Sequence, residues 1–421
     1  AYVEMGEPLS VPHAVVTPRL DGPRKPRFEP VARRKSKAPS VLIGIIDVGG
    51  FDFAHPDFLE DGKTRFLRIW DQGAPEGSIL GPPPDGYGYG AELDKERMDK
   101  AIAWSKARKI AATDLLEQTV QQSGAHATHV ASIAGGNTGV CPGAGLVAVS
   151  IALAPDEATR QLSLYDSTRL AHAVDYLFSL SEKLYPGEKI PTVINISLGT
   201  NGHAHDGTSA ICRWIDAALM VPGRAVCVAA GNSGQEAPQF DGDLAHLTGR
   251  IHASGVVSAR GLETDLEWQV VGNGIADVSE NELEIWYEPG DELEVELRSP
   301  SGTWIGPVLP NEYVQNRRLD SETFVSIYNE RYHPSNGANR ISIFLSPRLR
   351  DEIVGIEAGT WLVRIRGREI RDGRFDAWIE RDDPRPLGRI GEVEAWRFPS
   401  YFTSRTNVDR SSVSSLACSY R

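Results

Sequence analysis

Three polar residues with complementary chemistry lie at the ends of structured segments in this sequence. Asp47 follows the apolar run 41–46, His126 opens a segment with helical spacing, and Asn232 ends the apolar run 225–231. A carboxylate, an imidazole and an amide supply an acid, a base and a hydrogen-bond donor, the groups that serine acyl transfer requires. If the runs are parallel strands, we expect these side chains at the carboxyl edge of one sheet.

The segments that must position these residues alternate between two patterns. Continuous apolar runs, typical of strands buried on both faces, occupy residues 41–46, 193–199 and 225–232. Helical spacing occupies residues 126–136, 166–184 and 211–219. The alternation predicts an α/β domain with a parallel sheet and helices on both faces. Within the third strand we interpret Cys227 as a small, buried apolar residue.

The hydrophobic pattern changes near residue 242. Apolar and polar residues then alternate with a period of two, interrupted by turns, which predicts an antiparallel β-sandwich or jelly-roll insertion. We expect most of its tryptophans to be core residues: Trp268, Trp286, Trp361 and Trp378. The predicted parts are an N-terminal arm or leader remnant (1–40), the α/β domain (41–245), the insertion (246–398) and a return to the α/β domain (399–421), where 412–418 approaches a buried strand.

Composition excludes several classes of protein. The 421 residues are 41% hydrophobic and 24% charged, which is ordinary globular composition. The net charge of −13 argues against a nucleic-acid partner. No apolar run approaches the length of a membrane span. Four scattered cysteines provide neither a disulfide scaffold nor metal-ligand spacing, and they leave a cytoplasmic or a secreted location open.

Four sequence blocks, taken in order, resemble the subtilisin-like serine proteases. Residues 45–49 (Ile-Ile-Asp-Val-Gly) resemble the block around the catalytic aspartate, and residues 126–131 resemble "HGTHVA". Residues 193–199 resemble the "NxSLG" strand, and residues 229–234 resemble "AAGNxG". The resemblance covers about residues 41–236 and 400–421. Residues 65–72 and the β insertion look most like the germination-type subtilases of spore-forming bacteria.

This resemblance implies a subtilisin-like fold and a role for each matching residue. Asp47 orients the imidazole of His126, His126 is the general base, and Asn232 stabilises the oxyanion. The backbone of the segment that pairs with the substrate peptide is that of Ser197, Leu198 and Gly199. The implied substrate is a peptide or protein, and a propeptide or an inhibitor is a further candidate partner.

The resemblance implies no required cofactor and no catalytic metal. Carboxylate oxygens suit calcium, so a structural calcium ion at Asp52 and Asp57 stays open as a weakly signalled alternative. His126 and His129 could suggest a zinc hydrolase, but no His-Glu-x-x-His pattern is present. We interpret His129 as a packed helix residue. We expect His203, His205 and Asp206 to form a solvated polar loop.

The sequence departs from the family pattern in two respects. Val48, Ala127 and Ser132 replace the family's hydroxyl residue or glycine, which puts the level of activity in question. No "GTSMA" block carrying the nucleophile follows Asn232. Ser209 lies in a similar Gly-Thr-Ser-Ala stretch, but it precedes Asn232, and we interpret it as a helix cap. We therefore expect the nucleophile beyond residue 421 and this fragment to be inactive alone; the alternative is a pseudoprotease that binds peptides through the same cleft.

Overall fold

The computed structural model describes most of the chain from residue 38 onward. The described residues are 38–119, 126–151, 166–234, 247, 249–271, 280–348, 352–381, 389–390, 393–394 and 399–419. The predicted N-terminal arm lies outside them except for residues 38–40, and so does the predicted boundary at 245–246. Within the described residues, no helix has both the length and the apolar character needed to cross a membrane.

The first half of the chain forms an α/β unit. Its strands are β1 (Leu42–Asp47), β2 (Leu59–Glu60), β3 (Lys63–Thr64), β4 (Phe66–Asp71), β5 (Ala91–Asp94), β6 (Gly145–Ser150), β7 (Thr192–Ile196) and β8 (Arg224–Val228). Its helices are α1 (Lys95–Arg108), α2 (Ala112–Leu115), α3 (His126–Gly135), α4 (Asp166–Leu184) and α5 (Ala210–Ala218). The sheet order is β5-β4-β6-β1-β7-β8. Only β5 is antiparallel to its neighbour.

Both faces of this sheet are covered, as predicted. Neighbouring residues of β1 point to opposite faces, since Ile45 packs in one apolar cluster and Ile46 in the other. Helix α3 covers the first face and α4 the second. The approach of α4 is close, because a Cβ on Gly44 would lie 2.8 Å from the Cδ1 atom of Leu177. The predicted fold class is confirmed.

The second half forms an antiparallel β-sandwich. Its strands are β9 (His252–Val256), β10 (Glu263–Val270), β11 (Asn281–Tyr287), β12 (Glu292–Arg298), β13 (Trp304–Val308), β14 (Tyr313–Arg318), β15 (Phe324–Glu330), β16 (Asn339–Ser346), β17 (Gly359–Glu369), β18 (Arg374–Arg381), β19 (Arg389–Ile390), β20 (Val393–Glu394) and β21 (Tyr401–Phe402). One sheet has the order β13-β12-β17-β10-β21 and the other β14-β15-β16-β11-β18-β9. Their inner faces enclose one continuous apolar core.

Two of the four tryptophans do not lie in that core. Trp268 and Trp361 pack between the two sheets, as expected. Trp286 and Trp378 are also buried, but they are on the opposite face of their strands and lie against histidines. The outer face of the sandwich sheet that contains β11 and β18 is therefore covered, and not solvated, around these two tryptophans.

The return to the α/β unit differs from the prediction. Strand β21 pairs with β10, and Val408 bridges Ala253, so the sandwich continues past residue 398. The chain reaches the α/β unit where the Ser414 N–H donates to the Ala230 carbonyl, 2.8 Å away. The predicted strand is wrong, because Ser415–Cys418 forms a 3₁₀ helix.

The burial of Cys227 was also predicted wrongly. Its side chain is exposed. Strand β8 is the last strand at its edge of the described sheet, and its residues alternate between partly and fully exposed. An apolar run alone does not distinguish such an edge strand from one covered on both faces.

Candidate active site

Asp47 and His126 meet at the carboxyl edge of the parallel sheet. Asp47 is the last residue of β1, and His126 is the first residue of α3. The Oδ2 atom of Asp47 lies 2.7 Å from the Nδ1 atom of His126. The other carboxylate oxygen accepts the N–H of Val48 at 2.8 Å. The structure thus brings together the two residues that the sequence predicted as an acid–base pair.

The surroundings of the two side chains differ sharply. Asp47 is fully buried, whereas the His126 side chain is 40% exposed. Burial raises the pKa of Asp47, and the opposing contributions are His126 and the N–H groups of Val48 and Gly49. An aspartate at Nδ1 fixes the tautomer in which Nδ1 carries the proton, so that Nε2 is the basic nitrogen.

The predicted substrate segment continues β7 along the same edge. The N–H of Ser197 reaches the Ile46 carbonyl at 3.5 Å, and its hydroxyl accepts from the side chain of Asn195 at 2.7 Å. Leu198 is fully buried, and a Cβ on Gly199 would overlap the side chain of Ser414. The segment is therefore hydrogen-bonded to β1 through Ser197 and packs against Ser414 at Gly199.

Asn232 lies four residues after Val228, the last residue of β8, and β8 is two strands from β1 in the same sheet. Its side chain is exposed. Gly231 before it has φ +91°, a left-handed conformation that glycine adopts without strain, and this turns the chain where the strand ends. Asn232 therefore follows the carboxyl end of a strand in the sheet that carries Asp47, and its role as oxyanion donor stays a prediction.

Ser209 is engaged as a helix cap. Its hydroxyl accepts the backbone N–H of Cys212 at 3.3 Å at the start of α5, and the residue is 2% exposed. The sequence interpretation of Ser209 as a cap is confirmed. His129, by contrast, was predicted to be packed but is exposed, because it lies on the outer face of α3.

Ser132, one of the departures from the family pattern, has a clear structural role. Its hydroxyl donates to the Oδ2 atom of Asp57 at 2.6 Å, and the Oδ1 atom accepts from the N–H and hydroxyl of Thr138. Burial raises the pKa of Asp57, but these hydrogen bonds outweigh it and lower the pKa. The serine therefore ties α3 to the segment after β1.

Ala127 has no contact with solvent and packs within the apolar cluster beneath α3. Asp52 accepts the N–H of Ala54 at 3.0 Å, and its own N–H donates to Thr128. Within the described ranges, no three His, Cys, Asp or Glu side chains converge as metal ligands would. The calcium suggestion for Asp52 and Asp57 stays an untested prediction.

Two polar residues that the sequence analysis missed hold residues 118–119 against β4 and the segment after β1. Asp71 ends β4, and its buried carboxylate accepts the N–H of Thr119 at 2.6 Å. The side chain of Gln118 accepts the N–H of Phe51 at 3.0 Å and donates to its carbonyl at 2.8 Å. Asp71 is at a strand end, the same signal that identified Asp47, but no sequence block distinguishes it.

The polar loop after the substrate segment is buried at His203 and half-buried at His205 and Asp206, contrary to the expectation of a solvated loop. His203 is 4% exposed, and His205 stacks on Trp378 with ring centroids 4.3 Å apart. Asp206 accepts from the side chain of Asn336 at 2.9 Å. The loop packs against the outer face of the sandwich sheet that contains β11 and β18. The sequence pattern did not predict this contact.

Comparisons with known proteins agree with this geometry. The model of the subtilase family matches residues 39–286. The solved structure of the Clostridium perfringens CspB protease superposes with a TM-score of 0.60 at 25% identity, covering 81% of this chain and 62% of that chain. This chain thus spans less than two thirds of that protein's length. No curated protein matches the sequence. Because the family model covers more than half of the chain, the chain belongs to the subtilase family.

Proposed function

We propose that this chain carries the acid, the base and the substrate-binding segments of a serine endopeptidase. The observation that supports this most directly is the 2.7 Å contact between Asp47 Oδ2 and His126 Nδ1 at the carboxyl edge of the sheet. A buried carboxylate behind a partly exposed imidazole is the arrangement that general-base catalysis by histidine requires. The substrate is a peptide bond in a peptide or protein.

The proposed reaction follows from the two nitrogen atoms of His126. Nδ1–H donates to Asp47, so Nε2 accepts the proton of a serine hydroxyl as its oxygen attacks the peptide carbonyl carbon. The carbonyl oxygen becomes an oxyanion, to which the amide of Asn232 donates. Nε2 then returns the proton to the leaving amine. Water, deprotonated by the same nitrogen, hydrolyses the acyl-enzyme. No cofactor takes part in these steps.

The nucleophile of this proposal is a serine encoded beyond residue 421. Ser209 is the competing candidate, and its hydroxyl is occupied by the backbone of Cys212. Among the residues that the structure describes, the hydrogen-bond partner of the His126 imidazole is Asp47. Without a nucleophile, a base and an oxyanion donor give only weak residual catalysis.

The substrate peptide is proposed to pair with the backbone of Ser197, Leu198 and Gly199. This segment continues β7, which is the neighbour of β1, the strand that ends at Asp47. Pairing of an extended peptide with such a segment supplies main-chain hydrogen bonds that do not depend on its sequence. A propeptide or an inhibitory segment would bind in the same way.

A fluorophosphonate probe, which labels activated serines, tests the proposal. We expect the complete gene product to be labelled and residues 1–421 alone to remain unlabelled. His126→Ala in the complete protein abolishes labelling. His129→Ala is the matched control, because His129 is exposed on the same helix one turn away.

Two outcomes contradict the proposal. Labelling of residues 1–421 that is lost in Ser209→Ala would make Ser209 the nucleophile. Failure of the complete gene product to react, with peptide binding retained, would indicate a pseudoprotease that uses the same cleft for recognition.

A further inference from the structure

The substrate segment is followed directly by a strained loop. We call residues 200–209 the docking loop; it runs from Gly199 to the start of α5. Within it, His203, His205 and Gly207 have φ values of 71°, 52° and 74°. The left-handed conformation is strained for a residue other than glycine, so it persists only where the surroundings enforce it. The contacts that hold the loop come from the β-sandwich and from Ser414, whose hydroxyl accepts the N–H of Thr200 at 3.2 Å and donates to its carbonyl at 3.0 Å.

Two carboxylates of the sandwich bind this loop. Glu284 of β11 accepts the backbone N–H of His203 at 2.6 Å. Glu380 of β18 accepts the hydroxyl of Thr200. Thr200 is the residue next to Gly199, so Glu380 acts one residue away from the substrate segment. Both carboxylates lie on the outer face of their sheet, opposite the sandwich core.

Glu284 is itself held in a fixed geometry. Its second oxygen accepts from the guanidinium of Arg340 at 3.0 Å, and its first oxygen also accepts the indole N–H of Trp286 at 3.0 Å. Burial raises the pKa of Glu284, but Arg340 and the other donors more than offset this and lower it. The carboxylate therefore stays charged and cannot follow the loop if the loop moves.

Aromatic stacking and a further hydrogen bond also join the docking loop and α5 to the sandwich. The ring of His203 lies 5.1 Å from Trp286, and that of His205 stacks on Trp378 at an angle of 10°. Arg213 of α5 donates to the Ser335 carbonyl in the loop after β15. The sandwich thus holds the docking loop at its start and its middle, and the loop after β15 holds α5, the helix that follows it.

We propose that Glu284 and Glu380 are positioning residues for the substrate segment 197–199, so that the β-sandwich sets how well the α/β domain binds an extended peptide. This inference rests on the proposed peptidase function. Glu380 accepts the hydroxyl of Thr200, the residue after Gly199, and Ser414 and Ser415 bind the backbone of the same residue. Glu284 holds His203 in the conformation that keeps the docking loop closed against the sheet.

The test compares variants of the complete gene product. Glu380→Leu removes the acceptor for Thr200, whereas Glu380→Gln keeps one. Glu263→Gln is the matched control, because Glu263 is a partly exposed carboxylate in an ion pair with Arg366 on the other sheet. Each protein is assayed with an extended peptide and with a minimal ester that does not reach the substrate segment. Hydrogen exchange of the amides of residues 197–203 is measured in parallel.

For Glu380→Leu we expect KM for the extended peptide to rise about tenfold while the minimal ester is hydrolysed at the wild-type rate. Amides 197–203 exchange faster. Glu380→Gln and Glu263→Gln behave as wild type, and Glu284→Ala repeats the loss if it folds. Unchanged KM and exchange in Glu380→Leu would overturn the inference, as would an equal loss on both substrates. If the wild-type protein has no peptidase activity, the proposed function fails, and the exchange data alone decide the positioning role.

Discussion

His333 should make the stability of this protein fall in mild acid. It lies in the loop after β15, is 8% exposed, and packs edge-on against Trp286 with ring centroids 5.0 Å apart. Its Nδ1 atom lies 2.7 Å from the hydroxyl of Ser335. The backbone N–H of Ser335 also points at Nδ1, which makes this nitrogen an acceptor. A proton on Nδ1 would oppose that N–H.

The pKa of His333 is lowered to about 4, chiefly by burial. The charged and titratable groups that face the ring are Arg340 and His203, which lower the pKa further, and Glu330 and Glu284, which raise it. In the unfolded chain a histidine has its ordinary pKa of about 6.5. The unfolded state therefore binds the proton more tightly than the folded state.

The sign of the effect follows from this difference. The contribution of His333 to stability is fully present above pH 6.5 and is lost as the pH falls towards 4. Between pH 7.5 and pH 5 the difference in proton binding costs about 2 kcal/mol of unfolding free energy. Other groups titrate over the same range, so the effect must be isolated by a variant.

The measurement is urea unfolding, followed by tryptophan fluorescence at the two pH values. His333→Asn keeps an acceptor near the position of Nδ1 but has no titratable group. We expect the wild type to lose about 2 kcal/mol more than this variant between pH 7.5 and pH 5. His129→Asn serves as the control, because His129 is exposed. Equal losses in the wild type and His333→Asn would refute the reasoning.

Three further substitutions test single interactions by their unfolding free energy at neutral pH. Ser132→Ala removes the hydrogen bond to Asp57 and should cost about 1 kcal/mol; no loss would mean that water replaces it. Asp291→Asn turns an amide towards one of three backbone N–H groups that the buried carboxylate accepts, and should cost about 2 kcal/mol, with a stable variant contradicting this. Arg65→Met removes the hydrogen-bond donor of two buried carbonyl groups, one of them at the end of α3, and should cost at least about 2 kcal/mol. Wild-type stability of this variant would refute the burial argument.

The sequence predicted the pairing of Asp47 and His126 because their placement follows from chain direction alone. A polar residue that ends a buried parallel strand must lie at the carboxyl edge, and a helix that packs on the sheet presents its first residue there. The interpretation of Ser209 as a cap likewise needed only its residue type and its place before a helix. These predictions required only the local residue pattern and the common direction of the strands in the sheet. They required no knowledge of the contacts between the two halves of the chain.

The contacts of Glu284 and Glu380 could not be predicted in this way. Alternation along β11 and β18 gives an apolar face and a polar face, and a polar face normally meets solvent. Trp286 and Trp378 are on that polar face, yet their residue type made them look like core. A tryptophan among carboxylates on a polar strand face indicates that this face is covered. The sequence does not indicate which segment covers it.

The buried carboxylate contacts on this face restrict how the sandwich and the docking loop can move relative to each other. A face covered through apolar area alone tolerates sliding, whereas a buried carboxylate such as Glu284 requires its donors at fixed positions. Separating the loop from the sandwich would leave Glu284 without the N–H of His203 and leave the strained loop without its support. Since the loop begins one residue after Gly199, we expect the sandwich and the substrate segment to move together.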